Sequence, residues 1–291
     1  MTGVQVLGID VGGSEVKGAV VDTGTGTLRT PPDRHPTPSP SDPDALAAVM
    51  RAIVDGLAWA GPIGCAFPAP IVDGTVTTAD NIDGSWVGLR GGEVLAGHLG
   101  HPVHLLNDGD AAAVAESRFG AARGHGTVLV LTFGTGVGSA LLRDGRLVPN
   151  TELGHLRFGD SDLETYAAAS AIARDGLDDD AWSARANAVM RHLCDVLAAD
   201  RIVVGGGISE RFEQLRLGEG VPAPVVPARL GNDAGIVGAA VSAASGDTSA
   251  RPTTNGVGAA RGEQGLPDGL LLSTTSRSAA ADGRTTEGAH R

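Results

Sequence analysis

Three stretches of the sequence carry side chains whose type and spacing could do acid–base or ligand-gripping chemistry. In "LLNDGDAAAVAE" an apolar run stops at Asp108, just ahead of a helix-forming stretch. A carboxylate just off a strand end can accept a proton from a hydroxyl, and such general-base assistance is worth about 10²–10⁴ in rate. The same place suits a helix N-cap, and the two roles compete evenly for Asp108; for Asp110 the cap is the better reading. In "VPNTELGHL" Glu152 and His155 stand three apart, so a helical turn would put them on one face. Such a pair could hold a metal, grip a polar ligand, or decorate a surface turn. A metal would want a third ligand near by, and none stands out. Sugar hydroxyls both donate and accept, which suits Glu and His, and Glu164 could join them. In "TADNIDGSW" Asn81 and Asp83 lie in a loop close to Trp86. A loop amide with an indole is a sugar-binding pairing, and an Asx-turn with a packed Trp is equally ordinary.

Glycine supplies a second kind of chemistry. "VLGIDVGGSEVKGAVVD" places Asp10, Gly12, Gly13 and Ser14 between two β-branched runs. The second run reads as a strand rather than a helix, so this is a hairpin with an acid at its bend, not a dinucleotide fingerprint. "VLVLTFGTGVGSALLRD" repeats the arrangement with Gly134, Thr135, Gly136 and Gly138, and "RIVVGGG" ends a third strand in Gly205, Gly206 and Gly207. Closely spaced glycine N–H groups can cradle phosphate oxygens. Each loop alone serves turn geometry at least as often; three at strand ends favour phosphate. Asp10 could hold Mg²⁺, directly or through water. Lys17 is the only lysine among 22 basic residues, a bias that genome composition also produces, so its functional and structural readings stay balanced.

The elements that must position these groups alternate along the chain. Strands are expected over 4–9 and 16–21, with a Pro-rich loop over 31–43 and then a helix capped by Ser41 or Asp42. Leu46, Val49, Met50, Ile53, Val54 and Leu57 give that helix one buried stripe. Strands over 63–66 and 103–106, a helix over 111–119, the second hairpin, a helix over 181–199, the Gly-ended strand and a last helix over 234–245 complete the pattern. Two like halves, each opened by a hairpin, imply two α/β lobes closing on a cleft with phosphate between the glycine loops. We expect an N-terminal lobe over 1–108, a C-terminal lobe over 109–231, a helix over 232–246 packing back on the first lobe, and a disordered tail over 247–291 that is poor in apolar residues.

Bulk properties bound the function. The chain has 291 residues and a formal charge of −12, which disfavours nucleic acid as a partner. Two cysteines far apart in sequence, without a C-x-x-C spacing, fit a reducing cytoplasm and no structural zinc. No signal peptide and no membrane-length apolar run are seen, so a cytoplasmic, non-membrane protein is expected.

In their order along the chain these stretches resemble the ROK family (repressors, open reading frames, kinases). "FPAPIVDGTVTTADNIDGSW", "LVLTFGTGVGSALLRDGRLVPNTELGHL" and "NDAGIVGAA" most resemble its actinobacterial polyphosphate glucokinases, over about residues 4–245. The resemblance implies an α/β, actin-like (RNase H-like) two-lobed fold and phosphoryl transfer from polyphosphate or ATP to the 6-hydroxyl of glucose. It makes Asp108 the general base and Asn81, Glu152, His155 and Glu164 glucose ligands, with Asp83 beside them. Asp10, Gly12, Gly13, Gly134, Thr135 and Gly136 match phosphate loops; Ser14, Lys17, Gly205, Gly206 and Gly207 extend the set, with Mg²⁺ at Asp10. Related sugar kinases are often homodimers. Three departures bear on function. The zinc motif of many members is missing, and no DNA-binding segment precedes the first strand. The segment over 157–200, where such glucokinases carry a basic, tryptophan-containing stretch, has four arginines against nine carboxylates and keeps only Trp182 and Arg185 as neighbours. A long polyanion needs a cationic groove. A sugar-binding regulatory protein with weak or no catalysis is therefore the alternative, and a DNA-binding repressor is remote.

Overall fold

The computed structural model describes residues 3–124 and 126–246; the tail expected over 247–291 lies outside the described residues. Strands β1 (Gln5–Val11) and β2 (Glu15–Asp22) form the opening hairpin, and the short β3 (Thr27–Leu28) and β4 (Asp33–Pro36) both pair with β2. Part of the stretch expected to be a Pro-rich loop is thus an edge strand, with Pro36 at its end, where the missing N–H costs least. Helix α1 (Pro43–Gly56) is capped by Asp42, whose carboxylate accepts from Ala45 N at 2.9 Å. Next come β5 (Ile63–Phe67), the small hairpin β6 (Ile71–Val72) and β7 (Thr75–Val76), α2 (Gly91–Leu99) and β8 (Val103–Asn107). Sequence patterning missed α2, whose glycines and short length blur the helical stripe.

Helix α3 (Asp108–Phe119) leads into the second half. There β9 (Thr127–Phe133) and β10 (Val137–Arg143) form the second hairpin, joined by β11 (Arg146–Val148). A small ribbon of β12 (Arg157–Phe158) and β13 (Ser161–Asp162) precedes α4 (Leu163–Ala167), α5 (Ser170–Asp175) and α6 (Asp179–Leu197). The chain then runs through β14 (Arg201–Gly205) and β15 (Val225–Pro227) to α7 (Ala234–Ser245).

The two large sheets share one plan. The first runs β3-β2-β1-β5-β8 and the second β11-β10-β9-β14-β15; in each, the central strand pairs antiparallel with its hairpin mate and parallel with the strand on its other side. Alternation along β1 sends Leu7 and Ile9 into a core with Met50, Ile53, Phe67 and Trp86, while Val6 meets Ile236 and Val237 of α7 on the other face. The second sheet packs Leu129, Leu131 and Phe133 against Trp182, Met190 and Leu193 of α6. Helix α7 is buried over Ala234–Val241 and lies directly on β1 and β5. A Cβ on Gly8 or Gly64, which are register partners, would stand 2.0 Å from the carbonyl oxygen of Ile236 or Ala239 respectively. Only glycine permits that approach. Among the described residues no helix is long and apolar enough to cross a membrane.

Candidate active site

Helix α3 starts with no intervening loop where β8 ends, and this abrupt join places Asp108. Asn107, the last strand residue, caps the helix by accepting from Asp110 N at 3.1 Å. The cap expected at Asp110 is therefore corrected to Asn107, because a strand that turns straight into a helix makes its own last residue the cap. Asp110 lies inside the first turn, 2 % exposed, and its Oδ2 accepts from Asn150 N at 2.8 Å. Asp108 is the first helical residue, so the helix begins three residues earlier than patterning suggested.

Asp108 faces a cavity of about 190 Å³ shared with Asp10, Lys17, Thr132, Gly205, Gly206 and Asn232, among others. Burial pushes its carboxyl up to about 7, and the negative charges of Asp10 and Glu152 add to the rise, against the hydrogen bond from Gly109 N. A carboxylate with that proton affinity is a competent base near neutral pH. Asp10 is also raised, first by burial, and Lys17 opposes this. Asp10 and Lys17 are register partners across the hairpin, with Nζ 3.2 Å from Asp10 Oδ2 and donating to Asn232 O at 2.6 Å.

The second hairpin meets the same cavity through Thr132, and β14 through Gly205 and Gly206. Gly206 has φ +71°, and a Cβ there would lie 2.9 Å from Phe133 O, so the strand end can turn only as glycine. The bends themselves are held by their own hydrogen bonds. Gly12 N donates to Glu15 O at 2.9 Å and Gly134 N to Gly136 O at 2.9 Å. Thr37 N donates to Ser14 O at 3.1 Å, and Ser170 Oγ to Thr135 O at 2.7 Å. Gly12, Gly13, Ser14, Gly134, Thr135, Gly136 and Gly207 do not line the cavity that contains Asp108; Gly207 opens a 3₁₀ stretch (Gly207–Gln214).

The Glu-x-x-His segment forms a 3₁₀ turn (Leu153–His155) with Glu152 just before it and His155 Nε2 4.0 Å from Glu152 Oε2. Burial raises the Glu152 carboxyl, His155 lowers it, and Asp80 and Glu164 raise it further. The charges of Asp80, His155 and Glu164 thus all act on Glu152, and Glu152 in turn acts on Asp108. Glu164 Oε2 also accepts from Val137 N at 2.9 Å, so it braces the second glycine bend. Asn81 is exposed in its bend. Asp83 instead caps the 3₁₀ turn (Gly84–Trp86), accepting from Ser85 N at 2.8 Å. Trp86 is fully buried edge-on to Phe67, its Nε1 donating to Ser41 O at 2.8 Å. Of the two readings of this loop, the Asx-turn with a packed Trp describes Asp83 and Trp86.

Two residues with clear jobs escaped the sequence reading. Glu116, 1 % exposed, accepts from the backbone N–H groups of Ala121, Arg229 and Leu230 at 2.7, 2.8 and 2.8 Å and so folds the loop before α7 over the cavity. Its place two turns after Asp108 was the available signal. Asn232 receives Lys17 through a backbone carbonyl, which side-chain chemistry cannot announce.

Residues 6–176 match the ROK family. The chain belongs to it. It is 41% identical over 249 residues to the polyphosphate glucokinase of Mycobacterium tuberculosis (strain CDC 1551 / Oshkosh), covering 83% of this chain and 92% of the relative. Its structure is similar to that of the inorganic polyphosphate/ATP-glucomannokinase from Arthrobacter sp. strain KM, with a TM-score of 0.78 and 42% identity, covering 84% of this chain and 99% of the other. It is also similar to a ROK family glucokinase from Streptomyces griseus in complex with glucose and AMPPNP, with a TM-score of 0.69 and 25% identity, covering 82% and 99%. The fold is thus the mixed α/β architecture of ROK sugar kinases. Trp182 and Arg185, the tryptophan–arginine neighbours of the acidic segment over 157–200, are both engaged within the fold. Trp182 is fully buried, its Nε1 donating to Ala167 O at 3.1 Å, and Arg185 pairs with Asp175 at 2.5 Å.

Proposed function

We propose that this protein is a glucokinase that transfers a phosphoryl group from polyphosphate or ATP to the 6-hydroxyl of glucose. The observation that carries the reading is Asp108, raised to about 7, facing a cavity that also holds Asp10, Lys17 and the glycine end of β14. The family match and the two polyphosphate-using relatives support the same activity.

Glucose is held by Asn81, Glu152, His155 and Glu164, with its 6-hydroxyl directed at Asp108. Asp108 takes the hydroxyl proton as that oxygen attacks the terminal phosphorus and the bond to the bridging oxygen breaks; the donor leaves one phosphate shorter. Phosphoryl transfer rests on positioning and charge neutralisation more than on covalent chemistry by the protein. Lys17 and the N–H groups of Gly205 and Gly206 meet the donor phosphates. Two carboxylates pressed into one cavity, both raised by burial, fit a divalent cation, since a positive charge there would relieve both. Asp10 would hold Mg²⁺, which supplies neutralisation of the transferring phosphoryl group.

The test is purified protein with glucose, Mg²⁺ and either ATP or polyphosphate, read by glucose-6-phosphate formation. Product with at least one donor is expected. Glucose binding without product from either donor would replace this reading with that of a sugar-binding regulator, the alternative that the paired arginines at Arg174, Arg185 and Arg211 favour.

A further inference from the structure

Asn150 has left-handed backbone geometry, φ +58°, which asparagine tolerates better than most residues, and two of its three hydrogen bonds join the two halves of the molecule. Its side-chain Oδ1 accepts from Ile71 N at 2.8 Å and its Nδ2 donates to Ile71 O at 2.9 Å, so the amide completes Ile71 as a facing strand residue would. Its own backbone N donates to Asp110 Oδ2 at 2.8 Å, two residues along α3 from Asp108. Ile71 begins β6, just after the strand that pairs with β1 and β8; Asp110 belongs to α3. The residues after Asn150 are pinned differently. Leu153 N donates to Ser139 Oγ at 2.9 Å, Thr151 Oγ1 donates to Ser139 O at 3.3 Å, and Ser139 Oγ donates to Thr151 O. Both neighbours of Glu152 are therefore held by β10, and Asn150, two residues before it, ties that anchored segment to Ile71 in the first half of the chain and to the helix that begins with Asp108.

We infer that Asn150 is a positioning residue for the sugar, acting through Glu152. This inference rests on the glucokinase reading. The amide is needed as such, because only a group that both donates and accepts can satisfy the Ile71 N–H and C=O together. With the clamp intact, the segment bearing Glu152 and β6 hold a common register across the boundary between the halves. Without it, the segment carrying Glu152 keeps its anchors on Ser139 and Asp110 but loses its tie to Ile71 and the first half, and the sugar loses a preformed arrangement.

The experiment compares Asn150→Gly and Asn150→Asp with the unaltered protein. Glycine keeps the N–H to Asp110 and suits the positive φ, so the fold is retained while the side-chain clamp is lost. Aspartate keeps the size, loses the donor to Ile71 O and adds a negative charge near Asp110. In each variant the KM for glucose, and the glucose Kd by calorimetry, should rise about tenfold, the loss of one to two modest hydrogen bonds. The KM for the phosphoryl donor should stay unchanged. A merely structural role would instead lower kcat in step with the folded fraction and leave both KM values alone, and that result, or an unchanged glucose Kd in both variants, would overturn the inference. If the unaltered protein binds glucose but makes no product, the glucokinase reading fails alone, and the glucose Kd comparison still decides the role of Asn150.

Discussion

The two hairpins present the same scaffold with opposite chemistry. In the first, the register pair one step before the bend is Asp10 with Lys17, and in the second the corresponding pair is Thr132 with Gly138. The parallel neighbours are Ala66 beside Asp10 and Gly205 beside Thr132. Asp10, Lys17, Thr132 and Gly205 all line the cavity that Asp108 faces. One half thus delivers charge, and the other a hydroxyl and glycine backbone. Gly138 leaves room for this, since a Cβ there would lie 2.3 Å from Thr132 Oγ1. Under the proposed function, a duplicated fold would divide the handling of one phosphate chain: the charged half would set affinity and neutralisation, and the glycine half how closely the chain can approach.

Substitutions on each side can break that division. The largest effect is expected at Asp108, the proposed base, which sits between the halves. Asp108→Asn should retain glucose binding and lose at least roughly a hundredfold in turnover, the low end of general-base assistance, measured by steady-state kinetics beside calorimetry. Near-normal turnover would remove Asp108 from the role. Lys17→Met, on the charged side, should lower kcat/KM for the donor by about ten- to a hundredfold, in line with about 1.5–3 kcal/mol for a charge-assisted hydrogen bond. Thr132→Val, the corresponding change on the neutral side, should cost less than about tenfold by the same assay, because a neutral hydroxyl contributes about 0.5–1.5 kcal/mol. A larger loss from Thr132→Val than from Lys17→Met would reverse the assignment of the two halves.

The subtlest effect is on stability. The Asp108 proton is held more tightly in the folded protein, up to about 7, than in an unfolded chain. The native state therefore loses stability as pH rises from the ordinary carboxylate range through 7, and the loss is complete above it. Asp108→Asn should leave the thermal midpoint near that of the unaltered protein at pH 4 and raise it at pH 8. Equal midpoints at both values would mean the carboxyl is not destabilised by its surroundings.

Much of the fold was legible because its signals are local. Asp42 with Pro43 marks the start of α1, the β-branched runs mark the hairpins, and the expected last helix has the bounds of α7, Ala234–Ser245. Where reading failed, the deciding partner was distant. The stretch Asp33–Pro36 is a strand only because β2 offers an edge, and Asn107 rather than Asp110 caps α3 only because β8 ends there. Asp83 and Asn81 sit two apart in one loop, yet their surroundings differ: Asp83 is engaged in capping its own turn, while Asn81 stays in the exposed bend next to Asp80. Glu116 has no local signal of the loop it holds, because the partners that define that role are the N–H groups of Arg229 and Leu230.

The order and type of residues determined by themselves the two hairpins, the glycine-ended strand, the helix after β8 and the small set of acids able to act, because turn geometry, β-branching and capping are decided within a few residues. Tertiary structure alone decided which carboxyls, Asp108 and Asp110 among them, hold a proton near neutral pH. Burial beside Asp10 and Glu152 raises Asp108, and the hydrogen bonds at Asn150 and Glu116 draw segments 79 and 113 positions apart around it. Proton affinity depends on the charges and solvent around a carboxyl, and those are known only once the chain has closed.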